Sequence, residues 1–325
     1  MIKWKKFKKF LRGWLSLDIT KILNLQCILF ILIATGTVAR IKGIIKSDGK
    51  KLLTDLLIYI FLPCNIISSF NMKFNTSILI KFAMILIFAT LTQIVCMILS
   101  KYAFRDVEER KRKVLEYATI CSNAAFLGLP IVDEIFGLEG VMYASIAMVP
   151  QRIVMWSSGI SCFTKKDSFG KVFKRVALHP CIVAVYIGIL KMFLPFDIPG
   201  PINYSIKTIG GCTLTTSMIL IGTMLGEMSN IRSIFSKLLL KYTVIRLIII
   251  PFFSMIICSL ARLDPLSVSV IAILSGMPAG STTAILASKY DGDYIFASKV
   301  IIFSTVLSIL TIPMWSVIFK SYICK

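Results

Sequence analysis

The sequence predicts an all-α polytopic membrane protein: ten transmembrane helices in two inverted five-helix repeats, with helices 4 and 9 broken and crossing over. Three observations carry this. First, 57% of the 325 residues are hydrophobic and 16% charged, with mean hydropathy +0.83; a soluble domain has about 45–50% apolar and about 25% charged residues. Second, apolar runs of roughly twenty residues recur along the chain, each able to cross a hydrocarbon core about 30 Å thick. Third, Cys121–Pro130 and Ser275–Thr283 interrupt two of these runs with small polar residues, Gly and Pro.

Residues 1–21 read as a basic amphipathic interfacial segment. Lys3, Lys5, Lys6, Lys8, Lys9 and Arg12 alternate with Trp4, Phe7, Leu11 and Trp14 at helical spacing, too charged to span. No small-residue cleavage site follows, so the segment is expected to be retained. Spans are then expected at about 22–39, 52–71, 78–100, 115–136, 139–162, 176–194, 202–226, 238–260, 266–288 and 294–318. Pro63, Pro180, Pro251 and Pro313 lie within or at the start of spans, which membrane helices tolerate where neighbours satisfy the freed backbone. Spans six to ten echo one to five in order and in the place of the broken member. Five is odd, so the halves must have opposite orientation, the plan of inverted-repeat carriers. The domains are then 22–163, a short linker 164–175, and 176–325.

Net charge is +21. The basic residues lie in short loops, where positive-inside topology explains them better than nucleic-acid binding. They concentrate after odd-numbered spans, as in Arg40–Lys51, Lys101–Lys113 and Lys165–Arg175, which makes those loops cytoplasmic and places both termini outside. The seven basic residues up to Lys21 pull the other way. The nine cysteines are scattered without CxxC spacing and read as buried hydrophobes, and one histidine argues against zinc. No nucleotide-binding loop or catalytic constellation stands out, so neither a cofactor nor an enzyme activity is expected.

The chemistry is expected at the two interruptions. Non-helical backbone survives in a bilayer only when buried or lining an aqueous cavity. Pro130 opposes the carbonyl of Phe126, and Gly128 adds conformational freedom. Carbonyls and amides around Ser122, Asn123 and Ala124 are thereby freed, and Asn123 offers both a donor and an acceptor. Gly276, Pro278 and Gly280 play the same part in the second half. Ala279 lies among them, and Ser281 with its neighbouring threonines adds hydroxyls. Helix N-termini facing the breaks would favour an anion.

Cys121–Pro130 with Gly137, and Gly276–Gly280 with Lys289 and Tyr290, resemble the two crossover motifs of the auxin efflux carrier family. Leu62-Pro63, Pro180 with Gly188, Gly210-Gly211 with Gly222, and Pro313 extend the resemblance over about residues 22–320. The resemblance implies ten spans of the NhaA and bile-acid-symporter kind. It implies a scaffold of spans 1, 2, 6 and 7 that often dimerises, an elevator-like transport domain, and organic-anion transport. It gives Asn123, Pro130 and Pro278 crossover roles. Plant members carry proline where Ser122 stands, and the long cytosolic loop of some of them is absent.

Arg152 falls near mid-membrane in span 5, where a charge is costly and functional by default. It either meets a ligand carboxylate, with Gln151 as co-ligand, or pairs with a helix end or a carboxylate such as Glu116. Arg246 and Lys299 read as snorkelling near the inner surface, His179 as a surface histidine, and Glu116, Asp133 and Glu134 as interfacial. The expected function is secondary active or facilitative transport of a small carboxylate (malate, malonate or an auxin-like aromatic acid) across the plasma membrane. The coupling ion would be H+ or Na+ if there is one. A ligand-gated sensor or channel with the same broken-helix site is the alternative.

Overall fold

Proline and glycine set the local architecture. In the computed structural model, three π-helical turns, Leu57–Phe61, Ala124–Gly128 and Ile245–Ile249, each end two residues before a proline: Pro63, Pro130 and Pro251. A widened turn moves away the carbonyl that the proline ring would strike, so the helix continues instead of breaking. The structure describes residues 19–70, 76–155, 162, 169–193, 198–227, 236–280, 282–289 and 292–323. Most of the amphipathic segment expected over 1–21, residues 164–168 of the expected linker, and Ser281 lie outside the described residues.

In chain order the helices are α1 (Ile19–Ile41), α2 (Ser47–Ser69), α3 (Thr76–Ala103), α4 (Glu109–Ile120), α5 (Leu129–Val154), α6 (Phe169–Ala177) and α7 (Pro180–Phe193). They continue with α8 (Gly200–Gly226), α9 (Lys237–Leu260), α10 (Pro265–Ser275), α11 (Thr282–Lys289) and α12 (Tyr294–Ile323). Among the described residues the single extended pairing is an isolated antiparallel bridge between Ser122 and Ala279. Among the described residues, five helices are long and apolar enough to cross a membrane: Ser47–Ser69, Ser77–Ala103, Gly200–Gly226, Lys237–Leu260 and Tyr294–Phe319. Cys27–Ile41, Pro180–Lys191 and Pro265–Ser275 are shorter apolar helices. The loop expected near residue 137 is a kink inside α5, where Gly137 takes φ 65°. That left-handed backbone suits glycine.

Local sequence starts the helices. Asp264 caps α10, accepting the Ser267 N–H at 3.0 Å, with Pro265 in the first turn. Ser236 caps α9 through the Leu239 N–H. At the exposed start of α4, Lys113 beside Glu109 holds that carboxyl below its usual range.

Close glycine contacts join α1, α2, α7 and α8. A Cβ on Gly36 would collide with the Ile219 carbonyl, and one on Gly222 with the Ile33 carbonyl. Thr37 Oγ1 donates to the Gly222 carbonyl at 3.0 Å across the same seam. A Cβ on Gly210 would lie 2.9 Å from the Asn65 nitrogen, and one on Gly188 would collide with the Phe70 ring. Glu227 closes one end of α8 by pairing with Arg40 at 3.2 Å and Lys50 at 2.7 Å. Backbones this close leave no room for a side chain, and small residues are how membrane helices gain packing.

Gly222→Val should therefore destabilise the protein by about 1–3 kcal/mol or more, the cost of overpacking. Gly211→Ala, with nothing within 4 Å of the added carbon, should be neutral. Detergent-solubilised thermal midpoints of the two variants check this.

Candidate functional site

Two helices stop in the protein interior, and the site is built from what satisfies their ends. α4 ends at Ile120 and α10 at Ser275, and each is followed by a short irregular stretch before helix resumes. The stretches run side by side: Asn123 N–H donates to the Pro278 carbonyl at 2.8 Å, and Gly280 N–H to the Cys121 carbonyl at 3.1 Å. Gly280 is glycine because a Cβ there would press on the Cys121 and Ser122 carbonyls at 3.2 and 3.3 Å.

A helix end leaves carbonyls without intrahelical partners, and in a dry interior each needs one. Side chains from elsewhere supply them. Tyr242 Oη donates to the Ala118 carbonyl at 3.1 Å, Arg246 Nη1 to Thr119 at 2.7 Å, and Gln93 Nε2 to Ile120 at 2.8 Å. Gln151 Nε2 donates to the Ser122 carbonyl at 2.8 Å, while Ser122 Oγ lies 3.1 Å from Gln151 Oε1 and 3.2 Å from the Leu274 carbonyl. On the second strand Arg246 Nε donates to the Met277 carbonyl at 2.9 Å, and Ala279 N–H donates to Ser304 Oγ at 3.2 Å.

Arg246 corrects the snorkelling expectation. It is 2% exposed and bonds the last turn of α4 and the second irregular stretch at once. The π-turn at Ile245–Ile249 carries it, and its partners lie far away in sequence.

Beside the paired strands lies a cavity of about 280 Å³. Ser122, Asn123, Ala124, Gln151, Arg152 and Gly280 all line it, as the sequence reading grouped them. Leu62, Phe126, Met148, Met155 and Leu286 give it an apolar wall, and no aspartate or glutamate is among its described lining residues. The resuming helices begin at this cavity, through Asn123–Phe126 on one side and Gly280 and Thr282 on the other. Helix N-termini carry free N–H groups and a partial positive charge.

Arg152 is 8% exposed and contacts His179, Nη1 to Nε2 at 2.8 Å, rather than Glu116, which instead meets Arg112 at 3.7 Å. His179 is thus half-buried on the cavity wall, not a surface residue. Its Nδ1 also receives the Cys181 N–H at 3.2 Å. A guanidinium and a backbone N–H can only donate, whereas a neutral imidazole accepts at one nitrogen. The ring therefore cannot satisfy both neighbours.

Other expected residues have different roles. Pro278 and Ala279 pair backbone to backbone and do not line the cavity. Gly128 is helical, φ −68°, and supplies space rather than freedom: a Cβ there would lie 2.9 Å from Leu274 Cδ2 and 3.0 Å from Met277 Cγ. Gly276 sits against Pro251. Pro130 lies in the first turn of α5, beyond the irregular residues. Asp133 accepts a hydrogen bond from Asn65 at 3.0 Å. The sequence reading missed His179 as a lining residue, and also Tyr117, whose hydroxyl bonds Thr282 Oγ1 at 3.1 Å. Both are polar residues in apolar company.

Gln151→Leu would leave the Ser122 carbonyl without its donor and should cost about 1–3 kcal/mol. Its unfolding midpoint, compared with wild type in the same detergent, measures that loss.

A family model described as membrane transport protein matches residues 22–172 and again residues 164–316. Among curated proteins, the chain is 24% identical over 304 residues to an uncharacterized transporter of Methanocaldococcus jannaschii, covering 90% of this chain and 97% of the relative. An uncharacterized transporter of Methanothermobacter thermautotrophicus is 24% identical over 294 residues, covering 89% of this chain and 95% of the relative.

Proposed function

This chain belongs to the membrane transport protein family, and on that premise we propose that it is a secondary transporter of a small organic anion. The observation that carries the reading is the cavity beside the paired breaks: two helix N-termini and Arg152 face it, and no described acidic group lines it. An anion there would meet N–H donors, the Asn123 amide and a guanidinium, while its carbon skeleton would lie on Phe126, Met148 and Leu286. Arg152 can exchange partners at small loss, because His179 already has a second donor at its other nitrogen. A carboxylate accepts two guanidinium hydrogen bonds and is the better partner.

Alternating access needs one body that moves and one that stays. The glycine seams of α1, α2, α7 and α8 suit the fixed body. The breaks belong to the moving one, with α3, α4, α5 and α9 to α12. The family model's two matches, one per half, support an internal repeat, and the odd span count read from the sequence makes it an inverted one. The cargo class is a carboxylate such as malate, malonate or an aromatic acid, moved across the plasma membrane with the loops after odd-numbered spans cytoplasmic. A dimer through the fixed body fits the same plan.

Radiolabelled counterflow in proteoliposomes, run with malate, malonate and indole-acetate, tests this. Saturable exchange of at least one anion is expected; unsaturating conductance would instead favour a ligand-gated channel. Asn123→Ala should abolish saturable flux while leaving a monodisperse protein. Arg152→Gln should weaken anions about tenfold or more, the loss of a charged hydrogen bond worth roughly 1.5–3 kcal/mol, and spare neutral analogues.

A further inference from the structure

Arg246 lies deep in the protein, 2% exposed, and no described acidic residue forms an ion pair with it. Its hydrogen-bond partners are the Thr119 carbonyl in the last turn of α4, the Met277 carbonyl two residues past the end of α10, and Cys96 Sγ at 3.8 Å. Each helix C-terminus carries a partial charge of about −0.5. Two such ends sum to about −1, and one guanidinium lying beside both offsets them.

A meeting of two helix C-termini in a membrane is otherwise suited to a bound monovalent cation held by carbonyls. We propose that Arg246 is a resident countercation that takes the part of a coupling cation, so that the crossing of the two breaks needs no Na+. The inference rests on the carrier reading above and adds how its electrostatics are met.

One nearby feature is the rival. A chamber of about 30 Å³ is lined by Thr92, Gln93, Gln151 and Ser275, and Thr92 Oγ1 is buried without a hydrogen-bond partner. Its polar lining is oxygen-bearing, so a Na+ could be imagined there. Two facts favour water instead. No described carboxylate lines it, and Gln93 joins it to the carbonyl next to the one that Arg246 holds, so a second cation would face the first. The volume suits water, which needs only about 10–15 Å³.

The test begins with purified wild-type protein, needing no substrate. Its thermal midpoint should be the same in sodium, potassium and choline chloride at equal ionic strength. A saturable stabilisation by Na+ alone, lost in Thr92→Val, would place the ion in the chamber and overturn the proposal. Arg246→Gly should have a lower midpoint that guanidinium ion restores in a saturable way at low concentration; an undiminished midpoint would also overturn it. Should that variant give no folded protein, Arg246→Lys decides: it keeps the charge and should fold and ignore Na+, and Na+-specific stabilisation of it would count against the proposal. Counterflow with malonate separates this inference from the carrier reading. Replacing Na+ by choline should change the rate less than about twofold, against the roughly fivefold or more expected of a coupled ion. Exchange seen only with Na+ refutes the countercation alone, while no exchange of any anion in any salt refutes the carrier reading.

Discussion

The Arg246 guanidinium is the interaction on which the site depends. Two helices cannot end in a dry interior without partners for their carbonyls, and an unpaired buried acceptor costs about 1–3 kcal/mol. Arg246 meets one carbonyl at each break, Thr119 in the last turn of α4 at 2.7 Å and Met277 just past α10 at 2.9 Å. Tyr242 is one turn earlier on α9 and bonds the Ala118 carbonyl, and Trp315 of α12 bonds the Leu247 carbonyl beside Arg246. The breaks, α9 and α12 thus form one connected structure. Truncating Arg246 would leave several orphaned groups rather than one, and a buried charge without these partners would be as unfavourable as the partners without it.

That tie also sorts the polarity of the site. The carbonyls that end α4 are met by Arg246 and by the amide of Gln93, and the Met277 carbonyl just past α10 is met by Arg246 as well. The N-terminal ends of the second half-helices face the cavity with Arg152 beside them. Electronegative groups are used up inside the fold and electropositive ones are left facing the space. The preference for an anion proposed above follows from this arrangement more than from Arg152 alone. Gln151 belongs to both sides, since it holds the Ser122 carbonyl and lines both the cavity and the small chamber.

The breaks were legible because Gly and Pro clusters are rare inside apolar runs, and the match of one break to the other could be read from their places in the two halves. Ser122, Asn123, Ala124 and Gly280 of the breaks line one cavity, and Gln151 and Arg152, marked by a charge near mid-membrane, line it too. Arg246 was not legible. A lone arginine some residues from a loop looks the same whether it snorkels or is buried, and its partners lie 31 and 127 residues away. His179 escaped because its neighbour Pro180 suggested a helix start at the surface, while its contact with Arg152 is tertiary. The sequence suggests that Gly128 supplies conformational freedom, but helical φ and ψ at that position show that the need is for space against Leu274 and Met277. Buried polar residues in apolar helices, such as Gln93 in α3 and Tyr242 in α9, were the unused signal. Each proved to be a partner for a broken helix end.

The central claim is that the two breaks form a single binding unit for an anion. Hydrogen–deuterium exchange of the reconstituted protein, with and without saturating malonate or indole-acetate, addresses it most directly. The account predicts slowed exchange at the amides of residues 123–128 and of 280–286 together, at the same ligand concentration, because both helix N-termini would donate to one ligand. Protection confined to one break, or found only away from both, would contradict it.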